Sequence, residues 1–229
     1  MNNSTVVITA ENRKQLLSNY QLYYEQNSQL ESLVMVVVSA CSNFTSLPLV
    51  VNCFRHGKKF EGLVFFCSMM SSFLYHLGEI YNHVFYLKYH EWHRLDNVFA
   101  IASFGLYALY MTGNSDEAFL TYLTLIVAIL AQEKDPWNIK YTVWPIVIFF
   151  VLGLAVNIIK CKGIPRYNIW AVKRGTFYLL VGIFFFSRGL DEETDYLRIN
   201  HGLWHAFLGI SSWYNFHSIK LPDYRAVRS

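Results

Sequence analysis

The chain holds 229 residues, enough for one domain of ordinary size. Hydrophobic residues make up 54% and charged residues only 15%, against about 25% charged in soluble proteins, which excludes an ordinary soluble domain and points to a membrane. A net charge of +3 with no long basic run excludes nucleic acid as a partner.

Residues 1–32 read as a polar, extracytoplasmic segment with no cleavable signal peptide. Asn2 and Asn3 each open an Asn-x-Ser/Thr sequon there. A membrane helix needs about 20 mostly apolar residues, and seven such stretches follow. They cover about 33–54, 60–81, 95–112, 118–132, 141–159, 172–186 and 203–219, and a short cytoplasmic tail, 220–229, closes the chain. The expected fold is all-α, one seven-transmembrane bundle over 33–219.

Orientation follows from basic residues in the loops. With the N-terminus outside and the C-terminus cytoplasmic, the inner segments collect Arg55, Lys58, Lys59, Lys160, Lys162, Arg166, Lys173, Arg174, Lys220, Arg225 and Arg228, the larger share of the 19 basic residues. An acidic outer loop, with Asp191, Glu192, Glu193 and Asp195, agrees. Cys41 and Cys67 sit inside apolar runs, so no disulfide framework is expected. All four cysteines read as buried or juxtamembrane thiols; Cys53 and Cys161, which end apolar runs beside basic residues, have acylation as the alternative.

An ionisable group in a membrane helix costs about 2.5–3.5 kcal/mol or more, so each one needs a reason. His76 and Glu79 lie toward the outer end of the second helix, Asp96 opens the third, and His201 and His205 open the seventh. Odd and even helices run in opposite directions, so these residues meet near the outer leaflet. His201 and His205 are four apart, one turn along a helix face, and can grip one metal ion, with His76 as a third ligand. Three protein ligands plus a water is the pattern of catalytic zinc.

Asp96 is placed to act on the water as general base, zinc having lowered the water's pKa toward about 7. Ser72, one turn before His76, is a candidate donor to the oxyanion of an acyl substrate. Glu79 reads equally as a partner to a ligating histidine or as an interface residue. His83, His90 and His93, among Tyr81, Phe85, Tyr86, Tyr89 and Trp92, read as an interfacial aromatic loop rather than a second metal site. His56 and His217 fall on the cytoplasmic side.

Ser72-x3-His76, Asp96 and His201-x3-His205 together resemble the CREST superfamily, which contains alkaline ceramidases, PAQR receptors and the transmembrane-protein-8/myomaker branch. The last branch is the most similar, through Ser42-Asn43 with Leu47-Pro48, Phe60-Glu61 leading to His76-Leu-Gly-Glu79, and Thr194-Asp195-Tyr196 leading to His201. The resemblance implies Zn2+ on His76, His201 and His205, with Asp96 and Ser72 beside it. It also implies one of two functions. One is metal-dependent hydrolysis of a lipid amide or ester; the other is a non-enzymatic role in cell–cell adhesion or fusion with structural zinc. The expected partners are membrane lipids, with self-association left open, in the plasma membrane or a secretory-pathway membrane.

Overall fold

In hydrocarbon a backbone must satisfy its own hydrogen bonds, and long apolar stretches do so as helices. The computed structural model is all-α accordingly, and describes residues 29–136, 138–160, 163, 165–191 and 194–219. Its long helices are α1 (Gln29–Arg55), α2 (Lys59–Tyr81), α3 (Tyr89–Met111), α4 (Ala118–Lys134), α5 (Ile139–Ile159), α6 (Ile169–Gly189) and α7 (Ile199–Phe216). Among the described residues the only extended pairings are isolated bridges, Phe85 with Leu87 and Tyr167 with Ile219. The sequons at Asn2 and Asn3, Cys161, Lys162, Glu192, Glu193 and the tail 220–229 lie outside the described residues.

Four helices, α1, α2, α5 and α6, are long and apolar enough to cross a membrane. The other three fall short for visible reasons. α4 has 17 residues. α3 carries His90, Glu91, His93, Arg94 and Asp96 near its start, and α7 opens on His201 and His205. α2, although it carries His76 and Glu79, keeps enough apolar length to remain among the four.

Several helices also begin earlier than their apolar stretches. α3 starts at Tyr89 rather than 95 because Glu91 Oε2 accepts the Lys88 N–H at 2.8 Å, satisfying an end group the helix cannot. Asn138 does the same for α5, accepting from Lys140 N–H, and Asn168 for α6, accepting from Ala171 N–H. Lipid-facing composition marks the hydrocarbon; caps mark the helix.

Inside α1 the regular helix gives way to a π-turn over Val36–Ala40 and a 3-10 stretch over Cys41–Ser46. Polar side chains bonding back to the backbone coincide with this break: Ser39 Oγ donates to Met35 O at 2.7 Å, and Asn43 Nδ2 to Ser39 O at 3.0 Å. The irregular segment packs on α7, where Thr45 Oγ1 donates to His205 O at 3.2 Å.

Glycines set how closely α7 is held. A Cβ on Gly202 would stand 2.2 Å from Val38 O, and one on Gly209 2.3 Å from Thr45 Oγ1. On the opposite side, Gly175, Gly182 and Gly189 of α6, seven apart, face Asn215, Trp204 and His201. α7 is thus clasped between α1 and α6 at backbone contact, as small residues permit in membrane bundles.

A separate core joins α2, α3 and α4 through Val64, Val98, Ile101, Ala102, Leu106 and Ala128. Cys53 belongs to another, with Leu49, Tyr110 and Phe216, and is fully buried. That packing agrees with a buried thiol at Cys53 and speaks against the alternative of acylation there.

Candidate metal centre

α2 ends at the end of the bundle where α1, α3 and α7 begin. Tyr196, just before α7, donates to Glu31 at 3.0 Å, and Arg94 of α3 pairs with Glu133 of α4 there. The expected convergence of the second, third and seventh helices is therefore realised at this end.

His76 Nε2 lies 3.2 Å from His205 Nε2 and 3.2 Å from His201 Nε2. All three ligand atoms fall within 4.8 Å of one another, close enough to hold a metal ion. Tetrahedral zinc with Zn–N of ~2.0–2.1 Å separates its nitrogens by about 3.3 Å, so the donor set fits such an ion in number and type, and the two separations from His76 match it in length. His76 is completely buried.

The outer groups orient the ligands. His76 Nδ1 faces Glu79 Oε2 at 3.3 Å, with the carboxylate as acceptor, which leaves Nε2 free to face its two counterparts. Glu79 Oε1 accepts from Tyr75 OH at 2.8 Å, and Arg198 Nη2 stands 4.0 Å from Oε2. Glu79, left open between two roles by the sequence, is a partner to the His76 ring and is buried at 4% exposure.

On α7 the corresponding anchor is Asp195, at 1% exposure. Its Oδ1 accepts from Asn200 N–H and Asn200 Nδ2, both at 2.8 Å, and its Oδ2 from His201 N–H at 2.9 Å. These bonds hold the first turn of α7 and with it the ring of His201. The chain reaches that turn through two left-handed residues, Leu197 (φ 55°) and Arg198 (φ 57°). Such a conformation costs roughly 1–3 kcal/mol per non-glycine residue, which the Asp195 cap helps offset.

Ser72 is buried, one turn from His76, and its Oγ bonds to no carbonyl of its own helix. The Asp96 carboxyl on α3 nevertheless lies close enough to interact with it. Asp96 therefore adjoins Ser72, and among the described residues it is not one of the three converging donors.

Three contributors escaped the sequence reading. His93, assigned to a loop, lies in α3 and stacks on Tyr75 with centroids 4.2 Å apart and planes 7° from parallel. Arg198 and Asp195 also passed for outer-loop charges. Glu91 before an apolar run was the available signal for His93; for the buried Asp195 and Arg198 just before α7, the Asp195-x4-Asn200-His201 spacing offered little.

The family described as "Protein of unknown function (DUF3522)" matches residues 31–206. No curated protein matches the chain.

Proposed function

The chain belongs to the DUF3522 family, which names no activity, and from its clustered histidines we propose that it is an intramembrane zinc protein hydrolysing an amide or ester bond of a membrane lipid. The observation that carries this is the pair of 3.2 Å separations linking His76 Nε2 to His201 and His205. Without a cation, each of those contacts needs a proton between two nitrogens. Three nitrogen ligands leave a fourth position open, as in catalytic zinc.

Zinc held by His76, His201 and His205 would supply an acidified water at neutral pH. The chain's own residues would do the remaining work. Asp96 would hold a proton from the attacking water and return it to the departing amine or alcohol, the water's oxygen leaving in the fatty acid. Ser72 donates to the oxyanion on the way. The position of Ser72 one turn before His76, with Asp96 beside it, supports both roles.

The reading includes seven membrane spans over 33–219, an outer N-terminus and a cytoplasmic C-terminus, in the plasma membrane or a secretory-pathway membrane. Membership of the CREST superfamily, in the transmembrane-protein-8/myomaker branch, is part of the same proposal and rests on the histidine, serine and aspartate pattern.

The complete burial of His76 favours a second reading, in which zinc is structural and the protein promotes adhesion or fusion. Metal analysis and fatty-acid release from a broad lipid panel separate the two. Purified protein is expected to carry about one zinc per chain and to release fatty acid, with His76→Ala and His205→Ala losing both. Zinc-loaded protein that cleaves nothing in the panel, yet lets non-fusing cells mix their cytoplasm, would leave the second reading standing.

A further inference from the structure

Hydroxyl groups inside a helical bundle usually find a carbonyl of their own helix. Ser39, Ser71, Thr112 and Thr124 do so here, each donating to a residue three or four positions earlier. The buried tyrosines do comparably: Tyr75 donates to Glu79 and Tyr110 to Phe216 O. Among the described residues, Ser103 Oγ and Tyr107 OH break the pattern, shut away from solvent with no hydrogen-bond partner. Ser72 Oγ, equally enclosed, bonds to no carbonyl of its own helix and has the Asp96 carboxyl beside it.

Their placement is ordered. Asp96, Ser103 and Tyr107 are spaced seven and four along α3, which puts them on one face. That face is turned away from Gly105, which meets Phe149 of α5 and Thr124 of α4. Its upper end meets Ser72 of α2 through Asp96. At its lower end Tyr107 lines a cavity of about 20 Å³ together with Lys58, just before α2, Glu61 and Phe65 of α2 and Phe216 of α7. A single water needs roughly 10–15 Å³. From Asp96 to Tyr107 the rise is about 16 Å, at ~1.5 Å per residue.

We propose that ordered waters occupy a seam between α2, α3 and α7, entering beside the Lys58–Glu61 pair and bonding Tyr107, Ser103 and Ser72 in turn. Native interiors leave few polar groups unpaired, and water is the usual partner where protein supplies none. The seam reaches the residues beside the histidine cluster from the end of the bundle opposite to it. Its use as the supply of the water consumed in hydrolysis rests on the proposed activity; its hydration does not.

Radiolytic hydroxyl-radical footprinting of the purified, zinc-loaded protein tests this, because radicals born from bound water oxidise the side chains touching it. Leu109 lines the cavity at 1% exposure and Leu49, outside it, is at 2%, so burial is matched. Leu109 and Tyr107 are expected to oxidise at least ten times faster than Leu49. Ser103→Ala should cut the Leu109 rate severalfold while zinc content stays at the wild-type value. Leu109 oxidation as slow as that of Leu49 in the wild-type protein would overturn the proposal. Fast Leu109 oxidation in a preparation without lipid turnover would keep the hydrated seam and remove the hydrolase.

Discussion

Glu79 is the residue on which the geometry of His76 turns, because its carboxylate faces Nδ1 of the ring. A carboxylate behind a ligating histidine fixes the tautomer and sharpens the donor, and losing it typically lowers metal affinity about 10–100-fold. Glu79→Gln keeps the size and one acceptor oxygen, so the bundle should fold while zinc affinity drops within that range. Chelator competition measures it, and an unchanged affinity would mean that Glu79 only packs. Tyr75→Phe removes one neutral hydrogen bond to the same carboxylate, and is expected to lower the affinity by a smaller factor. Asp195 acts through the backbone of His201. Asp195→Asn retains acceptors for some of its three bonds, so a partial loss of zinc is expected, against near-complete loss in Asp195→Ala.

At the scale of a helix, the position of α7 is decided by glycines, and the ligands follow. Gly202 meets a backbone carbonyl, which cannot swing aside, whereas Gly62 of α2 meets only the ring of Phe54 at 3.2 Å. Gly202→Ala therefore forces α1 and α7 apart, an overpacking change of about 1–3 kcal/mol. Thermal unfolding in detergent should show a clear drop for Gly202→Ala, accompanied by weakened zinc binding, and little for Gly62→Ala. Equal transitions for the two variants would show that the backbone contact with Val38 does not set the fold.

The same helices show what a sequence can and cannot disclose. His76, His201 and His205 were legible because an i, i+4 pair and alternating helix direction bring them to one level without any knowledge of packing. His93 and Arg198 were not, because both lie outside the apolar stretches, and apolarity reports contact with lipid rather than helix extent. The break in α1 was equally hidden, since Ser39 and Asn43 read as ordinary small polar residues until their bonds to preceding carbonyls are seen.

For the molecule as a whole, the distribution of basic residues decides which end of the bundle faces the cytoplasm. Arg55, Lys58, Lys59, Lys160, Lys173 and Arg174 lie at or near the helix ends remote from the histidines. At the histidine end, Arg198 is buried near Glu79 and Arg94 is paired with Glu133. Arg198 is then no loop charge at all, which sharpens the asymmetry that sets insertion. The histidine end should therefore be the translocated one. A glycosylation acceptor placed in the loop between α2 and α3, beside the exposed Tyr86, is expected to be modified in cells. The same acceptor between α1 and α2, beside Gly57 where the surroundings are open, should stay bare. The reverse pattern would put the metal centre on the cytoplasmic side, so that a hydrated seam entered beside Lys58 would draw its water from outside the cytoplasm.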